Sequence, residues 1–176
     1  DLGEIMVKVI LEAKKFGHEA KFIKLAGDIN IETTRWTVKN IVKILSKIKT
    51  KKRKKILILG LAYKKNVEDI RESAAIKILQ SLTKMNYIVD FSDPHVDTND
   101  ILVKKLVKKS KNIKINKNIK KYDCVVLVTD HDIFNYKTIS KYSKVLIDTR
   151  NRVNRQRNFF KLLILKNING KSYSNI

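Results

Sequence analysis

The run Ile56-Leu57-Ile58-Leu59-Gly60-Leu61-Ala62-Tyr63-Lys64-Lys65-Asn66 decides the architecture. Four apolar residues closed by a glycine and followed by a polar loop read as a strand buried on both faces, the signature of a parallel sheet. After the loop, Ala75, Ile76, Leu79 and Leu82 recur at helical spacing, which predicts a helix over residues 73–85. Residues 87–91 read as a second strand closed by Asp93-Pro94, residues 101–107 as a helix and residues 113–115 as a short strand. Residues 124–128 form an unbroken apolar strand ending in Thr129-Asp130-His131. A helix over 137–142 and a last strand over 145–147, ending in Asp148-Thr149-Arg150-Asn151, complete the series. Strands alternating with helices imply βαβ units, hence an α/β fold with a parallel sheet and helices on both faces.

Upstream, the first 50 residues read as helix. Phe22, Leu25, Ala26, Ile29, Trp36, Ile41, Ile44, Leu45 and Ile48 fall mostly three and four apart, which predicts one helix over 19–48. At 1.5 Å per residue it would be about 45 Å long. Ile31, Val38 and Val42 widen the stripe, so the helix wants two neighbours, its own domain and a second surface. Gly17 separates it from an earlier helix ending near Phe16. Residues 51–55, Lys-Lys-Arg-Lys-Lys, form a basic linker that reads as a solvated run. Beyond Asn151 lies a basic tail whose apolar patch, residues 159–165, is expected as a helix docked on the sheet. The division is therefore a helical segment over 1–50, the linker 51–55, an α/β domain over 56–151 and a tail over 152–176.

A chain of 176 residues with 43% hydrophobic and 32% charged residues has a globular composition. No stretch approaches the length needed to span a bilayer and no signal-peptide pattern is present, so the expected setting is the cytoplasm, without a membrane. One cysteine excludes an internal disulfide framework and a cysteine-based zinc site. The net charge of +22 invites a nucleic-acid reading, but only seven of the 39 basic residues are arginine. Lys, Ile and Asn abundant together reflect A- and T-rich codons, and base readers favour the bidentate Arg fork. The charge is read as non-specific polyanion affinity; a basic nucleic-acid-associated protein stays as an alternative.

Ligands of open parallel sheets sit beyond the carboxyl ends of the strands. A dinucleotide fingerprint at Gly60 is poor, because Ala62 and Lys65 stand where further glycines are needed. A loop carrying Lys64 and Arg71 before a helix start at Ser73 suits an anion, and equally reads as a solvated loop with a simple N-cap. Cys124, inside an apolar strand, reads as a core residue. His131 follows a strand end and alone reads as a capping residue, while His95 and His18 carry little signal. No metal-ligand spacing, nucleophile elbow or catalytic constellation is present.

The segment from Gly60 to Ser73, Gly-Leu-Ala-Tyr-Lys-Lys-Asn-Val-Glu-Asp-Ile-Arg-Glu-Ser, resembles the signature opening the C-terminal domain of the UDP-glucose/GDP-mannose dehydrogenase family. Its Ala-Tyr-Lys-Lys variant is most similar to the branch of UDP-N-acetyl-glucosamine and UDP-N-acetyl-mannosamine 6-dehydrogenases. Three further segments follow in family order: residues 22–30 resemble the start of the central helix, and 129–131 and 148–151 the two late strand ends. The match covers roughly residues 15–151.

The resemblance implies a Rossmann-like sheet that closes over a UDP-sugar, behind a long central helix that forms a homodimer through residues 19–48. It implies an oxidoreductase that takes the C6 hydroxyl of the sugar to a carboxylate with two NAD, as in polysaccharide biosynthesis. By position Tyr63 and Lys64 match residues lining the sugar-nucleotide site, and Arg71 matches the arginine that reaches NAD across the cleft. Arg150 is a further candidate at the same cleft, on the substrate side. The family's NAD-binding half and its nucleophilic cysteine have no counterpart here, Ala74 stands for a usual proline and Asn86 for a usual glycine. Asn tolerates the same left-handed backbone. The expectation is the C-terminal part of such an enzyme, inactive alone, with NAD held mainly elsewhere and a separate chain as a possible source of that half. A non-catalytic nucleotide-sugar-binding or regulatory module is the first alternative.

Overall fold

Along each central strand, alternate side chains enter two different cores. Ile56, Ile58, Val89, Phe91, Cys124, Val126, Val145 and Ile147 share one with the helices on that face. Leu57, Leu59, Val125, Leu127 and Leu146 share the other with Ile119, Phe134 and Ile139. That two-residue alternation with both sides apolar is what a sheet covered on both faces requires. A computed structural model describes residues 2–16, 21–153 and 164–165.

The strands are β1 (Lys55–Leu59), β2 (Ile88–Ser92), β3 (Cys124–Leu127), β4 (Val145–Asp148) and β5 (Ile164–Leu165), in the order β2-β1-β3-β4-β5. The first four are parallel, and β5 runs antiparallel to β4. The helices are α1 (Leu2–Lys15), α2 (Lys21–Ser46), α3 (Ala74–Lys84), α4 (Ile101–Val107) and α5 (Tyr136–Tyr142), with a 3₁₀ turn over Lys117–Lys121. The Rossmann-like arrangement expected from the sequence is present. The α3 helix begins at Ser73, whose hydroxyl accepts from Ala75 N–H and donates to Leu61 C=O. It ends before Asn86, which has φ 66°, the left-handed backbone foreseen there for a glycine substitute.

The α2 helix spans most of the expected 19–48. Its C-terminal half packs on α3 and buries Val38, Ile41, Ile44 and Leu45. Ile29, Ile31 and Trp36 stay about half exposed. The side chains of residues 22–27, which include Phe22, Leu25 and Ala26, and the break at Gly17 lie outside the described residues.

Three expectations need correction, and one element is new. Residues 113–115 form no strand; a single parallel bridge, Phe91 to Asn112, joins this segment to β2. The polar Lys114 and Asn116 on either side of Ile115 leave too short an apolar run to extend it. The patch at 159–165, expected as a helix, is extended at Ile164–Leu165, where β4 offers a free edge that backbone pairing satisfies; residues 159–163 lie outside the described residues. The 3₁₀ turn was not foreseen. The first strand begins at Lys55, inside the expected linker, because its N–H bonds Asp123 and its C=O accepts from Asp123 N–H.

Candidate functional site

The carboxyl ends of β1, β2 and β3 converge on one buried carboxylate. Asp93, just past β2 and 1% exposed, accepts on Oδ2 from Leu61 N–H (2.7 Å), Ala62 N–H (2.9 Å) and His131 Nε2 (2.9 Å). Its Oδ1 accepts from His95 N–H (2.9 Å) and Val96 N–H (3.3 Å). Burial pushes this carboxyl up, but the His131 hydrogen bond and the Ala62 and His95 amides outweigh it and hold it below the usual range. Asn112 completes the shell, accepting from Asp93 N–H and donating to its C=O.

His131 is fully buried. Its Nδ1 accepts from Asn66 N–H at 2.9 Å, so the ring proton sits on Nε2 and points to Asp93. This is the neutral ring in one tautomer, fixed from both sides. The neighbouring Asp132 grips the same loop residue: Asn66 Nδ2 donates to its Oδ2 (2.7 Å), and Asp132 N–H donates to Asn66 Oδ1 (3.0 Å). Lys65 Nζ lies 2.6 Å from Asp132 Oδ1, and Lys65 and Asn66 hold that exposed carboxyl below its usual range.

Gly60 makes this convergence possible. It has φ 79°, and a Cβ there would stand 2.2 Å from the Thr129 carbonyl oxygen, so β3 can approach only a glycine. Thr129 Oγ1 then donates to Ala62 C=O at 2.8 Å. The loop over residues 60–73 leaves the sheet edge, is closed within itself by Tyr63 N–H to Asp69 C=O (2.7 Å), and returns to α3.

Each residue expected at the site lies on this edge, but they are held differently. Tyr63 and Lys64 sit together on the exposed loop, Lys64 Nζ 5.4 Å from the Tyr63 ring centroid. Among the described residues Lys64 has no acidic partner, whereas Lys65, Arg71, Arg150 and Arg152 each have one. Arg71 forms a fork with Asp69 (3.0 and 2.8 Å), which lowers the Asp69 carboxyl to about 2. Arg150, after β4, pairs with Asp130 at 3.2 Å. Arg152 lies over the Tyr136 ring and pairs with Asp132.

Sequence reading did not foresee the Asp93–His131–Asn66 chain. The signal was there in part: Asp93 stands at the end of β2 and His131 just past the end of β3. Their pairing needs the strand order, which local pattern does not contain. Cys124 is in the core as expected, its thiol pushed up to about 12 by burial and by Asp123. Among the described residues no cluster of three His, Cys, Asp or Glu could hold a metal ion, and no helix is long and apolar enough to cross a membrane.

A parallel α/β sheet with a docked cationic loop at its carboxyl edge defines a ligand-binding domain of the doubly wound kind. Residues 57–155 match the UDP-glucose/GDP-mannose dehydrogenase family, UDP binding domain, and the chain belongs to that family. It is 32% identical over 144 residues to a UDP-N-acetyl-D-mannosamine dehydrogenase of Methanococcus maripaludis, covering 76% of this chain and 31% of that relative. A Methanocaldococcus jannaschii protein of the same name is 27% identical over 147 residues, covering 78% and 31%. The solved UDP-N-acetyl-mannosamine dehydrogenase of Staphylococcus aureus superposes with a TM-score of 0.60 at 26% identity, covering 82% of this chain and 32% of that one. A UDP-glucose dehydrogenase from Pyrobaculum islandicum shares the fold, with a TM-score of 0.65 at 18% identity, covering 81% and 32%. The chain spans about a third of the length of the curated relatives it matches.

Proposed function

We propose that residues 56–151 bind the UDP part of a nucleotide sugar at the carboxyl edge of the sheet, within an NAD-dependent UDP-N-acetyl-hexosamine 6-dehydrogenase. The observation that carries this reading is the family match to a UDP binding domain, whose first loop presents Tyr63 and Lys64. Lys64, without an acid partner among the described residues, supplies charge to a diphosphate without first breaking an ion pair. Arg150 adds a second cation on releasing Asp130. Arg71 reaches NAD, bound mainly by another part of the enzyme or by a separate chain, and to do so it must leave Asp69. When bound, NAD would supply the hydride acceptor for C6 of the sugar; the residues of this chain bind the sugar nucleotide, orient it and offset phosphate charge. The chain alone is inactive, acts in the cytoplasm as a homodimer through residues 19–48, and serves polysaccharide synthesis in that reading.

Calorimetry of the full chain with UDP and with ADP at moderate salt tests it. UDP should bind in the millimolar to high micromolar range, about 4–6 kcal/mol, and better than ADP. Lys64→Ala should remove the preference, whereas Lys52→Ala should weaken both nucleotides alike through net charge. Equal binding of UDP and ADP, untouched by Lys64→Ala, overturns the reading.

A further inference from the structure

We infer that His131 is a positioning residue: its Nδ1 atom, by accepting the Asn66 N–H, holds the Tyr63-Lys64 segment in the conformation that meets ligand. The consequence for ligand rests on the UDP reading above; the positioning itself does not.

The segment is bracketed. On its N-terminal side Leu61 N–H and Ala62 N–H are fixed on Asp93 Oδ2, and Ala62 C=O on Thr129. On its C-terminal side the Asn66 N–H is fixed on His131 Nδ1. Tyr63, Lys64 and Lys65 lie between these anchors and are exposed. Asn66 has φ 60°, the left-handed state that asparagine tolerates better than most residues. The Asn66 side chain bonds Asp132, but those contacts are at the surface, and side-chain bonds there compete with water. The Nδ1 bond is made by a fully buried ring. It is the better-shielded anchor on that side of the bracket, part-buried where the Asn66 side-chain bonds are exposed.

The two ring nitrogens do separable work. Nε2–H satisfies the buried Asp93 carboxylate, which is a matter of stability. Nδ1 accepts from the loop, which is a matter of loop order. An asparagine at 131 places its side-chain oxygen near the Nδ1 position and cannot reach Asp93. A glutamine can place its amide N–H near the Nε2 position and leaves Asn66 N–H without its acceptor.

The test compares the full chain, ¹⁵N-labelled, with its His131→Asn and His131→Gln variants. In the wild type, ring ¹⁵N shifts should show a bare Nδ1 and a protonated Nε2; a proton on Nδ1 overturns the inference even if a variant fails to fold. His131→Gln should speed exchange of the Asn66 amide and weaken UDP binding, each by about tenfold, the worth of one hydrogen bond, and should lower order parameters at 63–65. His131→Asn should keep exchange, order and UDP affinity near wild type while melting at a lower temperature, because Asp93 loses its ring donor. A purely structural histidine predicts the reverse ranking, with loop order following thermal stability, and that result overturns the inference. If the wild type does not prefer UDP to ADP, the UDP reading falls, while exchange and order at 63–66 still decide the positioning.

Discussion

A side-chain carbon on Gly60 would stand 2.2 Å from the Thr129 carbonyl oxygen, closer than any non-bonded carbon and oxygen can lie. The obstacle is backbone at the end of β3, which cannot swing aside as a side chain can. Gly60 also has φ 79°, which costs a non-glycine residue about 1–2 kcal/mol before any clash. Gly60→Ala should therefore destabilise the chain by about 2–4 kcal/mol, read as a lower urea midpoint. A loss under about 0.5 kcal/mol, the range of an ordinary surface change, would show that β1 and β3 do not approach this closely.

Asp93 gives the stability a pH dependence with a definite sign. Its folded carboxyl lies below its unfolded value, ordinarily about 3.9. A depressed carboxylate contributes stability that is complete above the unfolded pKa and is lost as pH falls through the folded one. Asp93→Asn should thus be less stable at neutral pH and should flatten the acid limb below about pH 4. Asp69, lowered to about 2, is a weaker source of the same effect, since its Arg71 pair is exposed and such pairs contribute about 0–1 kcal/mol. Urea melts between acidic and neutral pH check both; an unchanged acid limb in Asp93→Asn would assign acid sensitivity elsewhere.

The strands were legible because burial on both faces leaves continuous apolar runs, as at 56–59 and 124–127. Helices with clear caps and apolar faces, such as α3 and α4, were legible for the same local reason. What stayed hidden depends on distant segments meeting. Asp93 and His131 are 38 positions apart and touch only because β2 and β3 flank β1. Ile164–Leu165 pairs as a strand because β4 has an open edge, a fact of sheet order rather than of those two residues. Tyr63 and Lys64 are candidates through resemblance; the anchors on either side of them, Ala62 and Asn66, are not legible that way, because backbone amides leave no mark in a pattern of side chains.

Cys124 should behave as a core residue. Burial and the Asp123 charge push its thiol up to about 12, so almost no thiolate exists at neutral pH. A thiol reagent should label it only as fast as the chain opens, and stoichiometrically in denaturant. The pure chain should likewise form no NADH from UDP-N-acetylglucosamine or its epimer, followed at 340 nm. Fast labelling of the native chain, or turnover abolished by Cys124→Ser, would remove Cys124 from the core and return it to the chemistry.

Trp36 tests the proposed dimer. It is 48% exposed on α2, on the same helix face as Ile29, seven residues earlier and 52% exposed. The residues that join α2 to its own domain are others, Val38, Ile41, Ile44 and Leu45. A change at Trp36 therefore separates association from folding. Trp36→Glu places a charge on the exposed stripe and leaves the α2–α3 packing in place. If residues 19–48 form the interface, burying the indole adds about 1.5–3 kcal/mol per copy. Losing it on both sides should shift the dissociation constant by tenfold or more. Light scattering across a concentration series should show the wild type as a dimer and Trp36→Glu as a monomer at the same loading, with thermal midpoints alike once both are monomeric. A wild type that scatters as a monomer at micromolar concentration, or a variant that associates as before, would place the interface somewhere other than this helix.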